Sequence, residues 1–178
     1  MNTVELVQYS LGMALDILGQ VCSDLTQEQA DWMPPGIANP IGSMYWHTVS
    51  GADDVVCRWL RDQEPLRQRA GWDDKVLAVA VPEPQQGGPD SRDAYQEYMR
   101  KLRVRLPALH EYAQAVAADL QEWLETLNPA DLERTIETPI GSYTVAQVLE
   151  LFVIWHINAH CGEISALKGC QGARGYPF

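Results

Sequence analysis

The chain has 178 residues, 46% of them hydrophobic and 21% charged, which is typical of one globular domain. We therefore expect a single domain over residues 1–178. The formal net charge of −11 would repel phosphate backbones and anionic lipids, which argues against nucleic-acid and membrane partners.

The first twenty residues predict a cytoplasmic protein. They have no basic start and contain Glu5 and Asp16, unlike a secretory signal, and no later apolar run is long enough to span a bilayer. The four cysteines form no CxxC pair, so we expect free thiols in a reducing compartment.

The first predicted helix covers residues 2 to about 22. Asn2 and Glu5 have the spacing of a helix start. The apolar residues that follow recur at steps of three and four, which favours a helix with one buried face. They are Val4, Val7, Leu11, Ala14, Leu18 and Val21.

Two proline-rich segments flank the second predicted helix. Residues 26–43 contain three prolines and two glycines, which predicts a loop. The second helix is expected from about Ser43, as its N-cap, to Arg61. Residues 62–90 show no sustained period, and an irregular connection of this length often covers a site.

A short helix is predicted from Ser91, and a third long helix follows it. Pro107 suits the first turn of a helix that runs to about Leu127, because proline is tolerated there and disruptive further in. The alternative is one continuous helix that is kinked at Pro107.

The last long helix is predicted from a capping box of Thr144 and Gln147 to Lys168, with Gly169 closing it. The segment TIETPIGSYTV could contain a short extended piece, but nothing in it requires a sheet. Four long amphipathic helices therefore predict an all-α bundle.

The last helix carries two histidines on its apolar stripe. Spacings of three and four place His156, His160 and Glu163 on the same side as the apolar residues, so we expect all three to face the core. Two imidazoles one turn apart can reach a single ion. The same spacing also arises by chance in helices whose histidines only pack, so a metal site needs a third ligand.

His47 is the candidate third ligand. It lies near Gly51 and Asp54 on one flank of the second helix, and Gly51 would leave open space beside it. The alternative is a histidine near a helix boundary that is hydrogen-bonded to a neighbour. His110 has no second histidine within helical reach, which indicates a surface residue or one that supports a ligand from behind.

Two familiar metal sites are excluded by missing residues. Ile157 follows His156, so the pair is not the HExxH of zinc proteases, and no histidine has a Glu three residues before it, as di-iron bundles require. A three-histidine site with open positions remains. Its nitrogen ligands suit zinc, nickel, cobalt or iron.

The segments YWH and HINAHCGEISALKG, with the final GYPF, resemble the DinB/YfiT-like family of proposed metalloenzymes over essentially the whole chain. The resemblance implies an up-down-down-up four-helix bundle in which His47, His156 and His160 hold a divalent metal ion, with zinc or nickel expected. Relatives are often dimers, which implies a homodimer.

The resemblance also implies a reaction class, because some relatives are transferases or isomerases that use mycothiol, bacillithiol or a similar thiol. We expect a metal-dependent thiol S-transferase or hydrolase with a small-molecule substrate and a low-molecular-weight thiol as cosubstrate. The sequence has no C-terminal domain like that of maleylpyruvate isomerase relatives, which disfavours that reaction. The alternative is a non-catalytic metal-binding sensor or oligomeric bundle protein.

Three side chains beside the expected ligands have two interpretations each. Glu163 is the candidate catalytic residue, as a base or as the acceptor that orients a ligand imidazole, and otherwise it is an exposed carboxylate. Trp46 and Trp155 each precede a ligand histidine and are either packing residues or platforms for a substrate.

Overall fold

The protein is mainly helical in the computed structural model, which describes residues 1–79, 81–84 and 91–178. In chain order the helices are α1 (Thr3–Cys22), α2 (Gln27–Asp31), α3 (Ile41–Asp54), α4 (Leu66–Arg69), α5 (Trp72–Val76), α6 (Ser91–Lys101), α7 (Leu106–Glu125), α8 (Pro129–Glu133), α9 (Val145–Val148) and α10 (Trp155–Cys170). Two π-helical segments belong to the same long rods, since π1 (Val55–Leu60) continues α3 and π2 (Leu149–Ile154) joins α9 to α10. The predicted all-α bundle is confirmed.

Two antiparallel strand pairs lie in the connections. They are β1 (Leu77–Val79) with β2 (Arg103–Val104), and β3 (Thr135–Thr138) with β4 (Gly141–Thr144). The second pair is a hairpin within the TIETPIGSYTV segment, in which Thr135 pairs with Thr144. The last long helix begins directly after this hairpin.

Around the bundle the order of the long helices is α1, α7, α3 and α10, and each contacts the next. The ends of α1 and α10 meet, because Lys168 donates a hydrogen bond to a carbonyl in the last turn of α1. Tyr45 and His110 meet near the starts of α3 and α7. Gln8, early in α1, instead donates to the carbonyl of Leu124 at the end of α7. These contacts define an up-down-down-up bundle.

The predicted helix starts are confirmed at both ends of the chain. Asn2 and Glu5 form a reciprocal capping box on α1, and Thr144 and Gln147 form another on α9. Each box satisfies two main-chain N–H groups that no carbonyl of the helix can reach. Buried apolar side chains of all four long helices form one cluster between them.

The predicted loop over residues 26–43 is wrong in part, because it contains α2. Thr26 and Gln29 cap this helix reciprocally, and the same spacing was visible in the sequence. The prolines that follow explain why α2 is only five residues long.

Ser43 is not the N-cap of the second long helix, which begins two residues earlier at Ile41. The Ser43 side chain is buried and donates instead to the carbonyl of Pro40, at 3.0 Å. Gly42 lies in this buried first turn, where a Cβ would come within 2.9 Å of the Val104 side chain. The tight packing of this turn, rather than a polar cap, determines where the helix begins.

The last long helix ends later than predicted. Gly169 is still helical, and the chain leaves the helix at Gly172, whose φ is +76°. The N–H of Ala173 then donates to the carbonyl of Lys168, at 3.0 Å. A glycine does close the helix, since glycine adopts positive φ without strain, but it is the next one along the chain.

The long connection over residues 62–90 contains α4, α5 and β1, while residues 80 and 85–90 lie outside the described part. Asp53 of α3 anchors its start, because the buried carboxylate accepts hydrogen bonds from the N–H groups of Leu66 and Arg67, both at 2.9 Å. Tyr112 of α7 donates to the same carboxylate at 2.7 Å. The connection is therefore held against two long helices.

The short helix from Ser91 and the separate helix at Pro107 are confirmed as α6 and α7. Pro107 lies in the first turn of α7, and the two-residue strand β2 separates the helices, so the continuous kinked helix is excluded. In the residues that the structure describes, no helix is long and apolar enough to cross a membrane.

Candidate metal centre

Three histidines meet between α3 and α10. His47 comes from α3, and His156 and His160 lie one turn apart on α10. One ring nitrogen of each lies within 4.8 Å of the other two, and all three residues are partly buried. The Nε2 atoms of His47 and His156 are 3.0 Å apart. The tertiary structure thus brings together the three residues that the sequence analysis singled out.

Gly51 allows this approach, but the space beside it is not open, contrary to the prediction. A Cβ on Gly51 would lie 3.1 Å from Cε1 of His156, so the imidazole of α10 fills the space that the glycine leaves. In protein structures, Cβ atoms rarely have a non-bonded neighbour at so short a distance. The glycine therefore serves the histidine of the opposite helix rather than His47 alone.

The π2 segment explains why the predicted inward face of the last helix is only partly right. A π-helical turn takes more residues than an α-helical turn, so side chains after it are rotated relative to a continuous α-helix. The fully buried residues of α10 are Ile157, Cys161, Ile164 and Lys168. The two histidines lie at the edge of that face, and the side chain of Glu163 is 57% exposed rather than facing the core.

Two of the imidazoles have hydrogen-bond partners on their Nδ1 atoms. Nδ1 of His160 lies 2.6 Å from the Glu163 carboxylate, to which an Nδ1–H donates. Nδ1 of His47 lies 2.8 Å from the hydroxyl of Tyr95, on α6. A proton on Nδ1 leaves the lone pair of Nε2 available, which is the usual arrangement of a histidine that binds a metal.

Burial keeps two of the imidazoles neutral. Burial, and then the proximity of His160, lowers the pKa of His47 to about 4. Burial, and then the proximity of His47 and His160, lowers the pKa of His156 to about 3. Both rings are therefore uncharged at neutral pH, and the neutral imidazole is the form that coordinates a metal.

The chemistry of this cluster fits a divalent ion. Two nitrogens that each lie about 2.1 Å from one zinc ion in a tetrahedral shell are about 3.4 Å apart, close to the observed 3.0 Å between the two Nε2 atoms. Nδ1 of His156 is also buried with no hydrogen-bond partner within the described residues. A cluster of closely spaced imidazole nitrogens suits a cation that prefers nitrogen ligands.

A cavity of about 380 Å³ adjoins the histidines. His47 and Gly51 lie in its wall, together with Trp46 and Tyr95. The connection after the second helix supplies another part of the wall, including Arg67 and residues of α5 and β1. The irregular connection thus covers part of the cavity beside the histidines, and the expectation that it covers a functional site stays a prediction.

Of the other residues that the sequence indicated, Trp46 lies in the wall of this cavity, whereas Trp155 and His110 lie elsewhere. Trp155 is 63% exposed and is not a substrate platform on this face, whereas Trp46 is buried and packs on Tyr112 with ring centroids 5.4 Å apart. His110 lies near Tyr45, 3.4 Å from its hydroxyl. Residues 45 and 47 point to nearly opposite sides of α3, so His110 is remote from the three-histidine cluster.

Sequence reasoning missed two features of the site. Tyr95 belongs to a short helix with no visible relation to His47, and no local pattern indicates their contact. Arg67 pairs with Asp54 and with Asp73, at 3.1 and 3.0 Å, in the wall of the cavity. Nothing in the irregular connection predicts this network, because its members become neighbours only when the loop folds back on α3.

Comparison with known proteins places the chain in a family. The sequence profile of the DinB superfamily matches residues 11–164. A solved structure described as the conserved protein of a locus from Enterococcus faecalis superimposes with a TM-score of 0.72 at 19% identity, covering 94% of this chain and 96% of that one. No curated protein matches the chain. Since the profile spans most of the sequence, the chain belongs to the DinB superfamily.

Proposed function

We propose that the protein is a divalent-metal-dependent enzyme, and that its reaction is the transfer of a small thiol to an electrophile. The observation that supports this most directly is the convergence of His47, His156 and His160, one ring nitrogen of each within 4.8 Å of the others. A cavity of about 380 Å³ adjoins them and is large enough for a small substrate.

His47, His156 and His160 would hold the ion, and zinc or nickel suits three nitrogen ligands. When bound, such an ion lowers the pKa of a thiol so that a thiolate is present at neutral pH. Three protein ligands leave coordination positions for the substrate, which distinguishes a catalytic site from a structural one.

Glu163 and Tyr95 orient two of the imidazoles in this proposal. The Glu163 carboxylate accepts a hydrogen bond from Nδ1–H of His160, and the Tyr95 hydroxyl oxygen accepts one from Nδ1–H of His47. Glu163 is therefore a positioning residue here rather than the base that the sequence also allowed. In the reaction the thiol sulfur forms a bond to the electrophilic carbon, the leaving group departs with its bonding electrons, and the thiol proton passes to solvent.

Metal analysis of untagged protein tests the site. We expect about one divalent ion per chain in the wild type and a loss of most of it in His47→Ala and His156→Ala, because two ligands do not hold zinc tightly. His110→Ala is the matched control, since this histidine contacts Tyr45 and not the cluster. Equal metal content in all four proteins would show that the three-histidine site is wrong.

Thiol-dependent consumption of a generic electrophile by the metal-loaded protein tests the reaction. The expected result is a rate that requires both the metal and the thiol, and that is lost in His156→Ala. Metal binding without any such rate, with several cellular thiols, would favour the alternative of a non-catalytic metal-binding sensor.

A further inference from the structure

The cavity beside the three histidines has aromatic walls. Its rings come from α3, π1 and α6, and they are Trp46, Trp59, Tyr95 and Tyr98. The rings of Tyr95 and Tyr98 lie side by side, with centroids 5.6 Å apart. The faces of such rings carry partial negative charge and attract cations, most strongly when water is excluded.

The charged groups in the same wall are mostly acidic. Among the described residues of the wall, the acidic ones are Asp54, Asp73 and Glu83, and the one basic residue is Arg67. The Arg67 guanidinium is already committed, because its Nε and NH2 donate to Asp54 and its NH1 donates to both oxygens of Asp73. It therefore has little capacity left to receive a carboxylate from a substrate.

Glu83 adds negative potential at the aromatic wall. It lies in the same cavity wall as Tyr95 and Tyr98. After burial, its carboxylate is the next cause that raises the pKa of both phenols. The three carboxylates outnumber the one guanidinium among the described residues of the wall, which gives the wall a net negative charge. An anionic group would be repelled there, whereas a cation would gain from both the rings and the carboxylates.

We infer that the thiol used by this protein carries an organic cation, of the ammonium type, which occupies the aromatic and acidic cavity beside His47. This inference rests on the proposed thiol chemistry of the metal site. It concerns the part of the thiol molecule beyond its sulfur atom. The sulfur would lie at the histidines, and the ammonium group would contact the aromatic rings.

Cobalt-substituted protein and a series of matched thiols test the inference by a binding signal that does not depend on turnover. Thiocholine is the cationic probe, 3,3-dimethyl-1-butanethiol is its neutral isostere, and 3-mercaptopropionate is the anionic probe. Binding of each thiol is measured from the charge-transfer absorption band that a cobalt–thiolate bond produces. We expect thiocholine to bind about tenfold more tightly than the isostere, and 3-mercaptopropionate to bind most weakly, as the wall charges require.

Glu83→Gln should reduce the preference for thiocholine over its isostere by about threefold. Glu122→Gln, which removes an exposed carboxylate from α7, should leave the preference unchanged. Equal binding of all three thiols, tighter binding of the anion, or an unchanged preference in Glu83→Gln would overturn the inference while leaving the thiol chemistry intact. Failure of every thiol to alter the cobalt spectrum would overturn the proposed function itself, and the inference with it.

Discussion

His47 and His156 illustrate how burial prepares a side chain for coordination. An exposed imidazole has a pKa of about 6.5 and is partly protonated near neutral pH. In the folded protein the pKa values are about 4 and about 3, mainly because burial disfavours the charged ring. The lone pairs are therefore available to a metal ion over the whole physiological pH range.

The same shifts predict how the stability of the metal-free protein depends on pH. Between pH 6.5 and 4 the unfolded chain binds protons at these two rings and the folded chain does not, so the free energy of unfolding falls as the pH falls. We expect the decrease from pH 7 to 5 to be about 4 kcal/mol larger in the wild type than in the double variant His47→Gln, His156→Gln, because each ring contributes about 2 kcal/mol. Urea unfolding in the presence of a chelator measures both, and equal decreases would contradict the prediction.

Glu163 should affect metal affinity rather than folding. Its carboxylate holds Nδ1 of His160 at 2.6 Å, and loss of such an acceptor weakens metal binding by about tenfold or more. We therefore expect Glu163→Ala to raise the metal dissociation constant by about tenfold, and Glu163→Gln, which still presents an oxygen, to raise it less. Competition with a chelator measures these constants.

Glu150→Ala is the matched control for this prediction, because Glu150 is exposed on the same long rod but is one of the residues of π2 rather than a neighbour of His160. If Glu163→Ala and Glu150→Ala bind the metal equally well, Glu163 is only an exposed carboxylate, which was the other interpretation of this residue.

At the scale of elements, two adjacent helical rods each contain a π-helical segment, and the two segments contact one another. The contact includes Trp59 and Phe152, whose ring centroids are 5.5 Å apart. The histidines lie beyond it, on the α-helical parts of both rods. Such interruptions are uncommon in helices and often lie near functional sites, because they turn side chains away from the regular helical phase.

The absence of a side chain at Gly51 allows the His156 ring of α10 to lie close to α3. In Gly51→Ala the new Cβ would lie 3.1 Å from the His156 ring, so the ring must move although no ligand is removed. We expect metal affinity to fall by about tenfold, because small displacements of a ligand are costly in a coordination site. Chelator competition measures the change.

Gly19→Ala is the matched control, since Gly19 is also helical and a Cβ there meets nothing within 4 Å. Alanine favours helix over glycine, so this variant should bind metal normally and unfold at slightly higher urea concentration. Normal metal binding by Gly51→Ala as well would mean that the His156 ring has room to move without affecting the site.

At the scale of the whole molecule, large apolar side chains remain exposed on two helical rods that contact each other. On α1 they are Leu6, Tyr9 and Met13, and on the π2–α10 rod they are Leu151 and Trp155. A surface of this kind is typical of an interface between protein chains. The homodimer that the family resemblance implied stays a prediction, and this surface is where we expect it.

We predict that Trp155→Glu converts a dimer into a monomer, because a charge at the centre of an apolar interface loses its water without gaining a partner. Ile140→Glu is the control, since Ile140 is similarly exposed but lies in the turn between β3 and β4 rather than on either helical rod. Sedimentation of both variants and the wild type gives the masses. A monomeric wild type, or a dimer that persists in Trp155→Glu, would contradict the prediction.

Local patterns in the sequence predict the four long helices and the starts of two of them. Apolar residues at steps of three and four, and polar residues at capping positions, act within a few residues of each other, so α1 and the Thr144 start are predictable. The same local logic missed α2, whose capping box was present but was outweighed by the prolines after it. The pairing of His47 with the two later histidines came from the family resemblance and not from spacing.

The groups that complete the site depend on how distant parts of the chain pack together. The contact of Tyr95 with His47, the filling of the Gly51 space by His156, and the ion pairs of Arg67 each join residues that are far apart in sequence or that lie in an irregular loop. The exposure of Glu163 depends on a π-helical turn that changes the phase of the last rod. Local patterns specify the faces of single helices, whereas the depth and partners of a side chain depend on how the helices pack.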